Sequence, residues 1–428
     1  MGSALQDAGL NHTHSGNLSA LDPADPSRFW ITASGAPLGN LRPAELVRVR
    51  LSDLAVEGGG RPSSELATHG AVLRLPGAAA CAHAHAFFGG LLGYGEDGRP
   101  PLLSPPRREG HRPSPGRWFD PPDLWGRRIL GPVPVVSFRE SFGSGEEMVA
   151  GVAHALAGSP LVLVAGHGPF CRGRSLADCL HRLCVFEQSA QIALLLARAG
   201  APAAGALASV APAALAPEPG EAPPRPVARP ASGRLAAWAE ALFALGLSAY
   251  GTGSMSVRLS AREIAWLPAA AAPPGWAIPR VRRPLEEEPA GLEGALHRLV
   301  HTQTPYRAVI LAAAPHAITA AAGPDPEILP VDDEARHAGV RLLAARASAF
   351  LPDPEKSGLP RLLEEGGGCL LLEGVGVLGC GRNGLAEAAL RVALAERVCR
   401  LRHEIALNHR LLGAPPPERF EKPFPGRR

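Results

Sequence analysis

The same order of elements occurs twice along this chain, at a period near 200 residues. Each half carries a Glu and a His four apart on a predicted helix, and then an apolar strand followed by small residues. A second apolar strand, a Gly turn and a long amphipathic helix complete it. In the first half these are Glu65/His69, GAAACAHAHAFFGG (77–90), LVLVAGHG (161–168) and the helix opening SLADCLHRL. In the second they are Glu293/His297, YRAVILAAAPHAITAAAG (306–323), CLLLEGVGVLG (369–379) and the helix opening GLAEAALRV. A repeat this long is a whole domain, so the pattern predicts a tandem duplication of an α/β domain.

Residues 201–232, almost all Ala, Pro, Gly and small polar residues, separate the halves. Such a stretch buries little and reads as an extended, semi-rigid linker. The expected organisation is a domain over 1–200, the linker, a second domain over 233–412 and a tail over 413–428. Region 94–130, rich in Pro, Gly and Arg with Trp118 and Trp125, has no counterpart of that length in the second half. It reads as a surface insertion or a substrate-covering loop.

Charge narrows the function classes. Lys and Arg number 43 and Asp and Glu 40, a net +3, too even for a general nucleic-acid or anionic-membrane binder. The seven cysteines are odd in number and form no CxxC pair, so neither a disulfide framework nor a zinc ribbon is indicated. No charged n-region precedes an apolar h-region and no apolar run is long enough to span a bilayer, so the expected compartment is the cytoplasm. The only lysines are Lys356, in a polar loop, and Lys422, near the C-terminal end. A Schiff-base mechanism needs a buried, activated lysine, which neither position offers.

The residues that could do chemistry lie in the first half. On a strand, His83 and His85 would point to one face and could reach one metal ion. His167, before Gly168, stands at the end of an apolar strand and is a third candidate ligand, with a hydrogen-bonded core histidine as the plain alternative. In Pro62-Ser63-Ser64-Glu65, two hydroxyls at a helix start form an anion site with a carboxylate in the first turn, or else an ordinary N-cap. The turns Ser15–Ser19 and Ile31–Gly35 offer further anion-binding groups.

Together, in this order, the blocks AGLNHTHSGNLSA, FWITASGAPLGNL, ELVRVRLSD, PSSELATHGAVLR, CAHAHAFFGG, GPVPVVSF and LVLVAGHG closely resemble the class II aldolase/adducin family over most of the first half. The resemblance implies a central mixed, mainly antiparallel sheet flanked by helices. It implies a zinc site made by His83, His85 and His167, one ion per chain, with Glu65 as the acid/base carboxylate. It also implies a phosphate pocket made by Asn17, Ser34, Gly35, Ser63 and Ser64. The activity implied is that of a zinc-dependent aldolase or lyase on a small sugar phosphate, through a metal-stabilised enediolate, similar to the fuculose-phosphate aldolases. Three neutral histidines leave zinc a net positive charge and an open position for such an intermediate. The methylthioribulose-phosphate dehydratases and the pentulose-phosphate epimerases are the neighbouring branches, and the epimerases carry Asp where Glu65 stands. The aldolases use a tyrosine near SFRESFGS (137–144), but this chain has only Tyr94, Tyr250 and Tyr306, and places Phe138 and Arg139 there. The second half places the predicted helix RLAAWAEALFALGLSAYGTG before its first strand, and no helix of that length is expected before the first strand of the first half.

The second half resembles the same family with its site lost. Leu311-Ala312-Ala313 replaces the His-x-His, Val375 the strand-end histidine, Ser254 the Asn17 position, and Ala290-Gly291-Leu292 the residues before Glu293. It reads as a structural partner, as in the metal-free head domains of adducins. The family's active aldolases are rings of four, so a chain with one live and one degenerate domain is expected to form a homodimer with a pseudo-fourfold ring. The competing reading is a non-catalytic, adducin-like assembly module.

Overall fold

The computed structural model describes residues 1–11, 14–93, 117–138, 145–201, 229–249, 252–267, 281–284, 291–330, 341–346 and 358–411. Most of the expected linker, the C-terminal tail and residues 94–116 of the insertion lie outside the described residues. The chain forms two compact units. One comprises Met1–Pro121, Ile129–Gln191 and Ala272–Gly275, the other Pro122–Arg128, Ile192–Ala271 and Trp276–Arg428.

The first unit begins with a short helix α1 (Gly2–Asp7) and a meander of β1 (Asn17–Asp22), β2 (Asp25–Thr32), β3 (Leu46–Arg50) and β4 (Val56–Glu57). There follow α2 (Leu66–Leu73), β5 (Ala80–His83), α3 (Phe87–Leu91) and β6 (Arg117–Phe119). Helix α4 (Leu124–Ile129), nearly all of which belongs to the other unit, precedes β7 (Val133–Val136). Then come α5 (Glu146–Gly158), β8 (Leu161–Val164), β9 (Gly168–Gly173) and α6 (Leu176–Ala199), whose residues from Ile192 on belong to the other unit. The nine strands form one sheet in the order β4-β3-β2-β1-β5-β9-β8-β7-β6. Its pairs are antiparallel except β7 with β8, so the expected mixed, mainly antiparallel sheet is present.

The sequence pattern explains the layers. In β2 and β3, Phe29, Ile31, Val47 and Val49 are buried while Trp30 and Arg50 are exposed, the alternation of a half-covered sheet. In β5 and β8 every residue is buried, so these central strands read as continuous runs of small and apolar residues. One core joins Phe29, Ile31, Val49 and Phe170 to Val72 of α2 and Met148, Val152 and Leu156 of α5.

The second unit has a sheet in the order β12-β11-β10-β13-β17-β16-β15-β14. Its strands are β10 (Ser254–Arg258), β11 (Glu263–Leu267), β12 (Val281–Pro284), β13 (Ala308–Ala312), β14 (Glu327–Ile328), β15 (Leu342–Arg346), β16 (Cys369–Glu373) and β17 (Gly376–Gly381). Its core joins Met255, Leu267, Ile310, Leu371 and Val377 to Val392, Ala395 and Val398 of the helix Leu385–Leu411. Registers make the repeat explicit. Asn17 pairs with His83, and Ser254 with Leu311. His83 pairs with Phe170, and Leu311 with Leu378. The single parallel pair recurs as β15 with β16. Ser19 bonds His69 at 2.7 Å, and Ser256 bonds His297 at 2.6 Å. By these registers Glu293 sits at the place of Glu65, Leu311 at that of His83 and Val375 at that of His167. Among the described residues no helix is long and apolar enough to cross a membrane.

Candidate active site

His83 is the last residue of β5 and is 1% exposed. Its Nδ1 lies 3.0 Å from the carbonyl oxygen of Pro169. A carbonyl can only accept, so Nδ1 carries the proton and Nε2 holds a lone pair. That Nε2 is buried and has no hydrogen-bond partner among the described residues. Burial holds the imidazole well below its ordinary value, at about 3, so it is neutral at pH 7. A neutral ring with its other nitrogen tied to a backbone carbonyl is how proteins present a histidine to a metal.

His85 and His167 depart from the expected local structure. His85 lies beyond the end of β5, not on it, and its backbone N–H donates to Asn11 Oδ1 at 3.2 Å and to the Leu10 carbonyl at 3.0 Å. His167 does not end a strand; it sits in the tight turn between β8 and β9. Gly166 and Gly168 flank it with φ of 76° and 143°. A Cβ on Gly168 would lie 2.3 Å from the Ala84 carbonyl oxygen and 3.1 Å from His83 Cε1, so glycine is required for the turn to approach β5. The three rings nevertheless converge. His83 stacks on His167 at 4.5 Å between centroids, and His85 lies 4.9 Å from His83 and 5.6 Å from His167. Phe170 backs the group, stacked on His83 at 4.2 Å.

Glu65 caps α2 and is 3% exposed. Its Oε1 is 2.7 Å from His167 Nε2, and its Oε2 accepts from Asn17 Nδ2 at 2.6 Å. Burial would raise its pKa, but the His83 ring and the hydrogen bonds from His167 and Asn17 take it down to about 2, so the carboxylate is ionised. One ligand atom from each of Glu65, His83 and His167 lies within 4.8 Å of the others. The lone buried Nε2, the ionised oxygen and the neighbouring imidazoles suit a divalent ion of borderline softness.

Two turns lie beside this group. Ala33 bridges to Pro62, Ser34 N–H donates to the Arg61 carbonyl at 2.9 Å, and Ser63 N–H donates to the Thr32 carbonyl at 3.1 Å. These bonds bring Ser34-Gly35 alongside Ser63-Ser64. Ser34, Gly35 and Ser64 are exposed, whereas Ser63 is buried with its Oγ accepting from Glu65 N–H at 3.3 Å. Asn17, expected in the phosphate pocket, is brought to the Glu65 carboxylate. Phe138 packs against the first unit's core, and Arg139 lies outside the described residues. Sequence reasoning missed Asn11 and Phe170, which position His85 and His83; only the adjacency of Phe170 to the Gly168 turn hinted at the latter.

The model of the class II aldolase and adducin N-terminal domain matches residues 1–194. The methylthioribulose-1-phosphate dehydratase of Leptospira biflexa serovar Patoc is 29% identical over 170 residues, 38% of this chain and 78% of that protein. That of Acidiphilium cryptum is 28% identical over 198 residues, 44% of this chain and 83% of that protein. Among solved structures, L-fuculose-1-phosphate aldolase from Thermus thermophilus is 28% identical, covering 47% of this chain and 93% of its own at a TM-score of 0.37. Over residues 1–194, the chain is therefore similar to the class II aldolase and adducin family.

Proposed function

We propose that the first half is a metal-dependent lyase acting next to the carbonyl of a small phosphorylated sugar, with loss of water as its leading reaction. The observation that carries this reading is the buried cluster of ionised Glu65 against His83 and His167, with an unpartnered Nε2 on His83. His83, His85 and His167 would hold the ion, which we take to be zinc, one per chain. When bound, such an ion supplies positive charge to a carbonyl oxygen and so acidifies the adjoining carbon. Glu65 is the proton shuttle: its carboxylate takes the proton from that carbon, while Asn17 fixes its second oxygen. Hydroxide then leaves the next carbon with the electron pair, and the returned proton balances it as water. Exposed hydroxyls of Ser34 and Ser64, beside Gly35 and Ser63, would receive the phosphate.

Dehydration is preferred to carbon–carbon cleavage because the curated relatives are dehydratases. Cleavage also needs a donor to the leaving carbon, and Phe138 has no proton to give. The test is to offer the metal-loaded full chain methylthioribulose 1-phosphate and fuculose 1-phosphate in parallel. Diketone formation without triose-phosphate release is expected. Release of a triose-phosphate or aldehyde fragment alone would restore the aldolase reading, and no turnover of any sugar phosphate would favour the adducin-like assembly module.

The phosphate assignment makes its own prediction. Ser64→Asp puts like charge at an exposed hydroxyl beside the cluster without touching the core. KM for a phosphorylated substrate should rise about tenfold or more, a cost of about 1.4 kcal/mol, with little change in kcat. Inorganic phosphate should inhibit the parent protein competitively; an unchanged KM would remove the pocket.

The domain assignment is also proposed: a catalytic domain over 1–200, the linker 201–232, a degenerate domain over 233–412 and a tail. If the degenerate copy completes a pseudo-fourfold ring, sedimentation should give about 89 kDa, twice the 44.5 kDa chain. A stable monomer would exclude the ring.

A further inference from the structure

Glu293 is the one residue of the second half's lost site that keeps its chemistry, and it is 3% exposed. An ionised carboxylate buried this deeply needs a counter-charge. The structure supplies one from far away in sequence. Arg128, on α4, forms an ion pair with Glu293, and the side chains are 8% and 4% exposed. Two neighbouring residues dock at the adjacent landmark. Trp125 Nε1–H donates to the Val375 carbonyl at 3.0 Å, and Leu124 N–H donates to the Gly374 carbonyl at 2.8 Å. Val375 holds the place of His167, and Gly374 that of Gly166, so all three contacts fall on the degenerate counterpart of the candidate site. Leu124 and Trp125 are both fully buried, and the Arg128 guanidinium lies 5.6 Å over the Trp125 ring. Asp123 Oδ1 accepts from Gly126 N–H at 2.9 Å and closes the start of the helix. Pro122–Arg128 accordingly belong to the second compact unit, although the strands before and after them, β6 and β7, belong to the first sheet.

We infer that the second half's relic site is a docking pocket for the chain's own segment 122–128, with Glu293 retained as the anion that receives Arg128. The pocket has exchanged a small-molecule ligand for a peptide one. Leu311 and Val375 replace imidazoles with apolar surface that suits the Trp125 ring. The carboxylate that would move a proton in a live site now fixes a guanidinium. Occupied in this way, the pocket is closed to a sugar phosphate, and the end of the 94–130 insertion is held by it. The registers of the two sheets carry this assignment, independently of the reaction proposed for the first half.

Hydrogen exchange on the full chain, read by mass spectrometry, tests it. Arg128→Glu sets two carboxylates against each other, so amides of 124–129 should exchange about tenfold faster or more while those of β5 and β16 are unchanged. The exchanged pair Arg128→Glu/Glu293→Arg should restore most of the protection. Protection unaltered by Arg128→Glu, or not recovered in the exchanged pair, would overturn the inference. Should the charge reversal prevent folding, Trp125→Phe keeps an aromatic side chain and removes the pyrrole ring with the N–H that reaches Val375. It should speed exchange at 124–129 severalfold with the β5 core unaffected, and wild-type protection there would equally overturn the inference.

Discussion

His83→Ala should strip the divalent ion from the protein and abolish turnover. His83 is the most deeply buried member of the cluster, and its Nε2 is a buried polar atom for which the described residues provide no hydrogen-bond partner. Removing it takes away the proposed ligand, an imidazole already oriented by the Pro169 carbonyl and by stacking on Phe170. Losing an outer-shell partner typically costs about 10–100-fold in metal affinity, and losing a ligand should exceed that. Metal analysis of the purified variant, with its melting curve as a check on folding, reads the result. The matching control is His297→Ala in the second unit. Its ring bonds Ser254 and Ser256 and has no metal-ligating neighbours at the equivalent positions, where Leu311 and Val375 stand. That variant should keep one ion per chain. Retention of the ion by His83→Ala, or a parent protein that takes up two ions, would contradict the assignment.

Much of the architecture was legible because burial leaves its period in the sequence. LVLV at 161–164 and CLLLE at 369–373 are strands covered on both faces, and their Gly turns mark where each reverses into the next. The long helices after them were legible as helices, but Leu176–Ala199 is buried around most of its girth and not along one stripe; the Glu–His spacing of four placed both residues on α2 or at its cap. The histidines were legible as a set but not in their positions. A His-x-His reads as two residues of one strand face, whereas β5 stops at His83 and the chain turns away to α3. Periodicity predicts a strand end for His167 because it does not register a two-glycine turn. The bond of Asn17 to Glu65 links residues 48 apart, and register alone creates it. The Arg128–Glu293 pair was beyond reach of the sequence. Its partners are 165 residues apart, and neither helix signals to the other through composition or period.

Glu65→Gln should preserve the fold and most of the bound metal while lowering kcat by about 10² or more, the scale of general acid–base catalysis. The substitution is nearly isosteric and keeps an oxygen for Asn17 or His167. What it removes is the capacity to accept a proton. Burial opposes ionisation, yet the His83 ring and the hydrogen bonds from His167 and Asn17 hold the carboxyl at about 2. A carboxylate kept ionised in a buried place, with one oxygen tied by Asn17 and the other directed at the imidazoles, is positioned to act at a single point. Because the amide would still occupy the space, KM should change little and the loss should fall on kcat. Asn17→Ala separates positioning from chemistry: it frees Oε2 but leaves the base, so its effect should be smaller than that of Glu65→Gln. A Glu65→Gln enzyme with wild-type kcat would remove Glu65 from the chemistry, and one that loses its metal as fully as His83→Ala would make it a ligand instead of the shuttle.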